Sequence, residues 1–438
     1  MQRDAQGHEL TGANAVATQA LDEAARAITL NCGDVNAHLS TAEAAAPECP
    51  IVDLYRAWLL ALSNDPAQVA SARQAVQALR ETRLNERERG HLAAIDLAAS
   101  GQWTSAVNRL DRHLMRFPHD LVAHQSALRL DGYQGRFHRE AARAAQALPA
   151  WSREQPGYGI MLSLYGFGLE ESADYARAEA VSREAAELEP TGYWPHHAMS
   201  HVLEMTGRPR EGLAWMDDRQ AQWSTPLHGN RVHIWWHKAL FHVELGEWDA
   251  ALALYDGPIA ETLRPVGASL CNPTALLWRL ETLGCDGGER WSALFPIWRE
   301  HADGRTSPFN DVHWAMTALR AGEDAAYETH LAAMRETAAS GGELAPAYRE
   351  IGVPVTQAVG SFTRGDYADA VEQLLPARAS LWRMGGSTAQ RDLVDWTLTV
   401  AATRAGMEDV ATALVNERLS LRPASVVNRR FADALRRH

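Results

Sequence analysis

Apolar residues recur along this chain at i, i+3, i+4 and i+7 instead of alternating, in runs such as ATQALDEAARAITL near the start and ADAVEQLLPARASL near the end. That spacing gathers the apolar side chains on one face of a 3.6-residue helix. Ala, Leu, Arg and Glu fill nearly every window while Val, Ile and Thr are sparse, which is the composition of helices and not of strands. The pattern predicts an all-α chain of helical hairpins with no sheet of three or more strands.

Turn signals punctuate the helical runs at near-regular intervals. A block of small residue, any residue, aromatic, two residues, then Ala or Gly occurs at Gly101/Trp103/Ala106, Gly135/Phe137, Ala173/Tyr175/Ala178, Gly207/Gly212, Gly246/Trp248/Ala251 and Gly365/Tyr367/Ala370. The first five blocks are 34, 38, 34 and 39 positions apart. This is the period of tetratricopeptide helix-turn-helix repeats, in which a small residue lets two helices approach and a Pro such as Pro118 or Pro190 closes the unit. Later punctuation at Gly322, Gly365 and Gly406 is spaced by 43 and 41. The expectation is one helical-repeat domain over 1–438, a tetratricopeptide-like superhelix, with regular repeats over about 85–260 and longer, degenerate ones over about 261–438.

Length, charge and cysteine content narrow the classes. The 438 residues exceed one ordinary domain of ~100–200 residues, as a repeat architecture requires. A net charge of −13 with scattered Arg argues against a nucleic-acid partner. No run approaches the ~20 apolar residues that span a bilayer, and MQRDAQGHEL lacks a basic-then-apolar leader, so a cytoplasmic protein without a membrane partner is expected. Cys32, Cys49, Cys271 and Cys285 show no CxxC spacing and read as small core residues.

The candidate chemistry concentrates on the first helix of successive repeats, helix A, which lines the concave surface in solenoids of this type. His197, His201 and Glu204 are spaced i, i+4, i+7, and His233 and His237 are again i, i+4 with Trp236 beside them. Adjacent A helices would bring the two pairs face to face. FNDVHW adds Asn310, Asp311 and His313, GGSTAQRDL adds Gln390, Arg391 and Asp392, and the helix upstream adds Tyr165. Polar groups gathered among aromatic residues suggest a walled pocket. His113, His119, His138, His301 and His330 read instead as packing or surface residues.

These segments resemble the tetratricopeptide repeat protein 38 family. Its motifs HxxxHxxE, HxxWH before a GEYEAAL-like turn, FNDxHF and GGSxAQRD stand here in order as His197/His201/Glu204, as His233/Trp236/His237 followed by GEWDAAL, as FNDVHW and as GGSTAQRD. The resemblance runs from about residue 8 to the C-terminus, with Ile234 in place of an Asn and Trp314 in place of Phe. It implies a helical-repeat architecture and names no reaction.

Three functions fit such residues. The first is a pocket for a small organic molecule, a carboxylate or acyl conjugate, with acid/base chemistry of the hydrolase, lyase or epimerase kind. His197, His201, Glu204, His233 and His237 would be its catalytic groups, because imidazoles exchange protons near neutrality. Trp236, Asn310, Asp311, His313, Gln390, Arg391, Asp392 and Tyr165 would hold the substrate, with Arg391 gripping its anionic group. The second is a Zn(II) or Fe(II) centre on His197, His201, His233 and His237. The third is a scaffold that binds a peptide on its concave face. No cofactor is favoured by the first reading, and homo-oligomerisation stays open.

Overall fold

The computed structural model describes residues 2–436. They form an all-α succession of helical hairpins of the tetratricopeptide type, and the sheet they hold is a two-stranded ribbon pairing Gln2–Arg3 with Glu9–Leu10. No helix of the described residues is long and apolar enough to cross a membrane. The chain divides into two compact units: residues 1–132, 136–199 and 219–231 form the first, and residues 133–135, 200–218 and 232–438 the second.

In the first unit the hairpins include Glu86–Ala99 with Trp103–Arg116 and Tyr158–Glu170 with Tyr175–Leu188. In the second they include Gly267–Thr282 with Arg290–Trp298, Pro308–Arg320 with Asp324–Ala339, Val353–Arg364 with Tyr367–Ala377, and Thr388–Arg404 with Glu408–Leu421. The small residues of the repeated block end the A helices. Gly101, Gly135, Gly207, Gly246 and Gly365 stand at φ between 66° and 84°, where the left-handed turn frees the chain from the helix. Ala173 takes the same conformation at φ 60° despite its Cβ. Close approach is the second demand on glycine: a Cβ on Gly212 would lie 2.4 Å from the Phe241 ring on the later helix Arg231–Leu245.

The two helices of a hairpin differ in burial. Trp103–Arg116 hides Trp103, Ala106, Val107, Leu110, His113 and Leu114 and turns the rest to solvent, an amphipathic face. Pro308–Arg320 and Gly267–Thr282 are instead buried on nearly every side. For Gly267–Thr282 one reason is the sequence-distant helix Thr388–Arg404, which packs on it. Trp278 Nε1 donates to Thr397 Oγ1 at 2.9 Å, and Trp396 Nε1 donates to Thr282 Oγ1 at 2.7 Å. The polar residues of these A helices therefore lie in the interior, not on the open concave surface that the repeat pattern suggests.

Buried histidines of the first unit show how such residues are satisfied by the protein itself. His124 Nε2 and His196 Nε2 each turn back to a proline carbonyl six positions earlier, Pro118 at 3.1 Å and Pro190 at 2.7 Å. His91 and His113 both place Nε2 on Asp120, at 2.9 and 3.0 Å, while Trp58 Nε1 donates to His91 Nδ1 at 2.8 Å. The indole bond makes Nδ1 the acceptor of His91, so its Nε2–H faces the carboxylate. Asp120 also caps the helix beginning at Leu121 through Ala123 N, and Arg87 stands 3.5 Å away. This carboxyl is held well below the usual range by His91 and Arg87, and the group is a structural clasp.

Candidate functional site

The helix Tyr193–Met205 carries His197, His201 and Glu204 one turn apart along one face, and the division between the units falls inside it, after Met199. His197 belongs to the first unit, where it stacks on Tyr193 at 4.8 Å and 20° and meets the Phe167 ring at 4.7 Å. His201 and Glu204 belong to the second unit, as do His233, Trp236 and His237 on the helix Arg231–Leu245.

In the second unit His201, His233, His237 and Glu204 come together, and none is more than 6% exposed. The ring centres of His201 and His233 each lie 4.7 Å from that of His237, and one nitrogen from each of the three rings falls within 4.8 Å of the others. Trp236 stacks on His233 at 5.1 Å and 19° and supplies an apolar wall.

The hydrogen bonds fix which nitrogen does what. Asn272 Nδ2 donates to the carbonyls of Ala268 and Ser269, at 3.2 and 2.9 Å, so its Oδ1 is the atom that faces His233 Nδ1 at 2.6 Å. His233 therefore carries its proton on Nδ1 and turns the lone pair of Nε2 toward His237 Nε2, 3.1 Å away. The far nitrogen of His237, Nδ1, lies 3.5 Å from Glu204 Oε2. Burial and the neighbouring imidazoles hold His237 well below the usual histidine range, so it is a neutral ring. Burial pushes the Glu204 carboxyl up to about 7 against the pull of Arg422.

Arginines surround the histidines. Arg422 Nη1 is 3.8 Å from Glu204 and 3.5 Å from Glu244, and its Nη2 binds Asp392 at 3.1 Å. Asp392 also takes both Nη atoms of Arg418, at 2.9 and 3.2 Å, which holds it well below the carboxylate range. A cleft opens here, lined in part by Arg378, Asp392, Asp395, Arg418 and Arg422. Arg279 is different. It is 2% exposed and lies 5.7 Å from the rings of both Trp236 and Trp396, and its hydrogen bonds go to the carbonyls of Ala275 and Ala389, at 3.3 and 3.2 Å. No carboxylate of the described residues pairs with it within 4.0 Å. Burial lowers it to about 10 against the pull of Asp392 and Glu204, and its charge acts in turn on both carboxylates, on His237 and on His313.

The remaining expected site residues take other roles. His313 Nδ1 bonds the Phe309 carbonyl at 2.8 Å, and burial brings the ring down to about 4. Asn310 Oδ1 accepts from Cys271 Sγ at 3.6 Å. Asp311 belongs to a network of its own, accepting from Tyr348 Oη at 2.5 Å and Gly304 N at 2.9 Å, with His330 Nε2 standing 2.9 Å from its carboxylate. Gln390 closes a capping box with Ser387 at the start of Thr388–Arg404. Arg391, expected to reach the histidines, is turned back onto its own loop, to the Gly386 carbonyl and Thr388 Oγ1. The double glycine allows that return, and Asp392 is the residue that connects the segment to the cluster, through Arg422. Tyr165 lies in the first unit, its hydroxyl taken by Arg177.

Sequence reasoning passed over Asn272, Arg279, Arg418 and Arg422. A signal existed for Arg279, a lone cation inside the apolar run Ala275-Leu276-Leu277-Trp278-Arg279-Leu280, where packing would choose Leu. Arg418 stands on the helix Glu408–Leu421 and Arg422 just past its end, and only the tertiary structure turns them inward.

No family model matches the sequence. Among solved structures the chain is similar to a human IFIT1 dimer with m7Gppp-AAAA, at 13% identity over 88% of this chain and 90% of that one, with a TM-score of 0.41. It is also similar to the APC/C hetero-tetramer Cut9-Hcn1, at 12% identity over 96% of this chain and 89% of that one, with a TM-score of 0.36.

Proposed function

We propose that the second unit binds a small anionic organic molecule, a carboxylate or acyl conjugate, at the buried histidine–arginine cluster, and that His201, His233, His237 and Glu204 act on it by acid/base chemistry. One observation carries the reading: Arg279 is an almost wholly buried guanidinium with no carboxylate of the described residues within pairing distance. An ionised group taken out of water costs several kcal/mol unless an opposite charge meets it. The planar fork of Arg suits a carboxylate, which it grips through two parallel hydrogen bonds. Trp236 packs against both Arg279 and His233, so an anion held by the guanidinium would lie beside the imidazoles. The cleft at Asp392 and Arg422 lies on the side of Arg422 that is tied to Asp392, and the same guanidinium stands 3.8 Å from Glu204.

The resemblance to the tetratricopeptide repeat protein 38 family supports the location, since two of its motifs supply His201, Glu204, His233 and His237. The same reading takes the chain as a member of that family and as a cytoplasmic protein. The test is a thermal-shift panel of acetate, succinate, hydroxy acids and N-acetylated amino acids on the parent and on Arg279→Met. At least one carboxylate should raise the melting temperature of the parent and leave the variant unmoved. A panel that never separates the two proteins would remove the basis of the proposal. A binder should then be altered on incubation with the parent and unchanged with His237→Ala.

A further inference from the structure

The geometry points to a divalent first-row transition-metal ion held by His201, His233 and His237 in the second unit, and we propose this as the metal site of the protein. The inference deepens the function above but does not need the anion, because it rests on the imidazoles alone.

The argument starts from the nitrogens that face away from the cluster. Asn272 Oδ1 can only accept, so His233 bears its proton on Nδ1 and offers Nε2 as a lone pair. His237 has a carboxylate oxygen of Glu204 beyond its own Nδ1, at 3.5 Å. A ring nitrogen bonded to an amide carbonyl is the outer-shell contact that orients a metal-binding histidine, and on binding a metal His237 would move its proton to Nδ1, on the Glu204 side. Both inner nitrogens are then Nε2, from histidines one helical turn apart, and they stand 3.1 Å from each other. There His237 Nε2–H donates to the lone pair of His233 Nε2, and a cation that displaces this one proton would meet both nitrogens. Ligands at about 2.05 Å from one ion subtend about 98° when 3.1 Å apart, between octahedral and tetrahedral geometry. His201 adds a third nitrogen from a separate helix, within 4.8 Å of the other two.

The first unit supplies the contrast. His91, His113 and Asp120 crowd just as closely, yet there the indole of Trp58 and the carboxylate of Asp120 account for the bonds around His91 Nε2, His91 Nδ1 and His113 Nε2. Imidazoles turned toward one another with acceptors behind them are the arrangement that a metal organises. Three neutral nitrogen donors suit Zn(II), Fe(II) or Co(II) and are poor for Mg(II) or Ca(II), which take oxygen ligands. A three-histidine set leaves coordination positions for water or for the anion.

The experiment uses the full chain without a polyhistidine tag, stripped with a chelator and titrated with Co(II). One equivalent should bind and develop visible ligand-field bands, and Zn(II) should bleach them and raise the melting temperature. His201→Ala and His237→Ala should lose the bands, while Asn272→Ala should keep them with affinity weaker by about 10–100-fold. Should a histidine variant fail to give the parent's circular dichroism, the parent decides alone. A stripped parent that shows no Co(II) bands and no Zn(II)-dependent shift overturns the proposal, as do bands that survive in folded His201→Ala and His237→Ala. Carboxylate binding by a protein that takes up no Co(II) would end the metal assignment without touching Arg279, and Co(II) binding without any carboxylate response would do the reverse.

Discussion

Replacing Arg279 by Met should stabilise the ligand-free protein. Arg279 is 2% exposed, and burial lowers its guanidinium from the ordinary arginine range to about 10. At 1.36 kcal/mol per pH unit, the folded state disfavours the charge by about 3 kcal/mol at neutral pH. The sign follows from the direction: a cation whose affinity for its proton falls on folding destabilises the native state at every pH below its native value. Methionine keeps the apolar stem between Trp236 and Trp396 and removes the charge. Lost cation–π contacts and hydrogen bonds to two carbonyls, already acceptors within their helices, return about 1 kcal/mol. The net gain is about 2 kcal/mol, or about 4–8 °C in the melting temperature of a unit in the 150–250-residue range. Calorimetry of both proteins without added anion measures it, with the second unit's transition identified by its response in the variant. A melting temperature that falls by several degrees would mean that native contacts already compensate Arg279, and the argument for an awaited anion would fail.

Asp392→Asn should destabilise the second unit by about 3 kcal/mol, because Arg418 and Arg422 would keep their charges without the carboxylate they share. The stability Asp392 contributes is present above its unfolded value near 4 and is lost as pH falls toward its depressed native one, so urea melts at neutral and acid pH should converge for parent and variant. In the first unit burial pushes Glu140 up to about 7 beside Arg143, with Asp131 and Asp111 sharing the arginines. A raised carboxyl holds its proton in the native state between about pH 4.5 and 7, so its contribution to stability falls as pH rises through that window. Glu140→Gln should gain on the parent by on the order of 3 kcal/mol between pH 5 and 8 in urea melts, and parallel curves would refute this. Gly207→Ala should cost about 1 kcal/mol from its positive φ alone, since no atom crowds the added Cβ. Ala173→Gly should stabilise by about 0.5 kcal/mol at the equivalent turn, read in the same melts.

The hairpin architecture was legible because two local signals agree. The i, i+3, i+4 spacing makes the helices, and small residues such as Gly101 and Gly246 end them in the left-handed conformation that the turn demands. The meeting of His201, Glu204, His233 and His237 followed from the same regularity, since successive A helices repeat one orientation. What sequence could not show was burial. The repeat pattern says which helix is A, but the helix Thr388–Arg404 that covers Gly267–Thr282 is distant in sequence and carries no mark of its target. Arg391 and Arg422 look alike as letters. A double glycine folds the first back on its own loop, while a bond to Asp392 turns the second toward Glu204. Arg279 was readable in principle as a cation among leucines, and the want of a carboxylate of the described residues within 4.0 Å of it is a property of the fold alone.

The most direct test of the central claim is a crystal structure of the chain soaked with a brominated carboxylate, with anomalous data at the bromine edge. The account places the carboxylate oxygens within hydrogen-bond reach of the Arg279 guanidinium, beside Trp236 and His233, with no peak there in crystals of Arg279→Met. Bromine found only on the surface, or at the same interior position in both proteins, would contradict it.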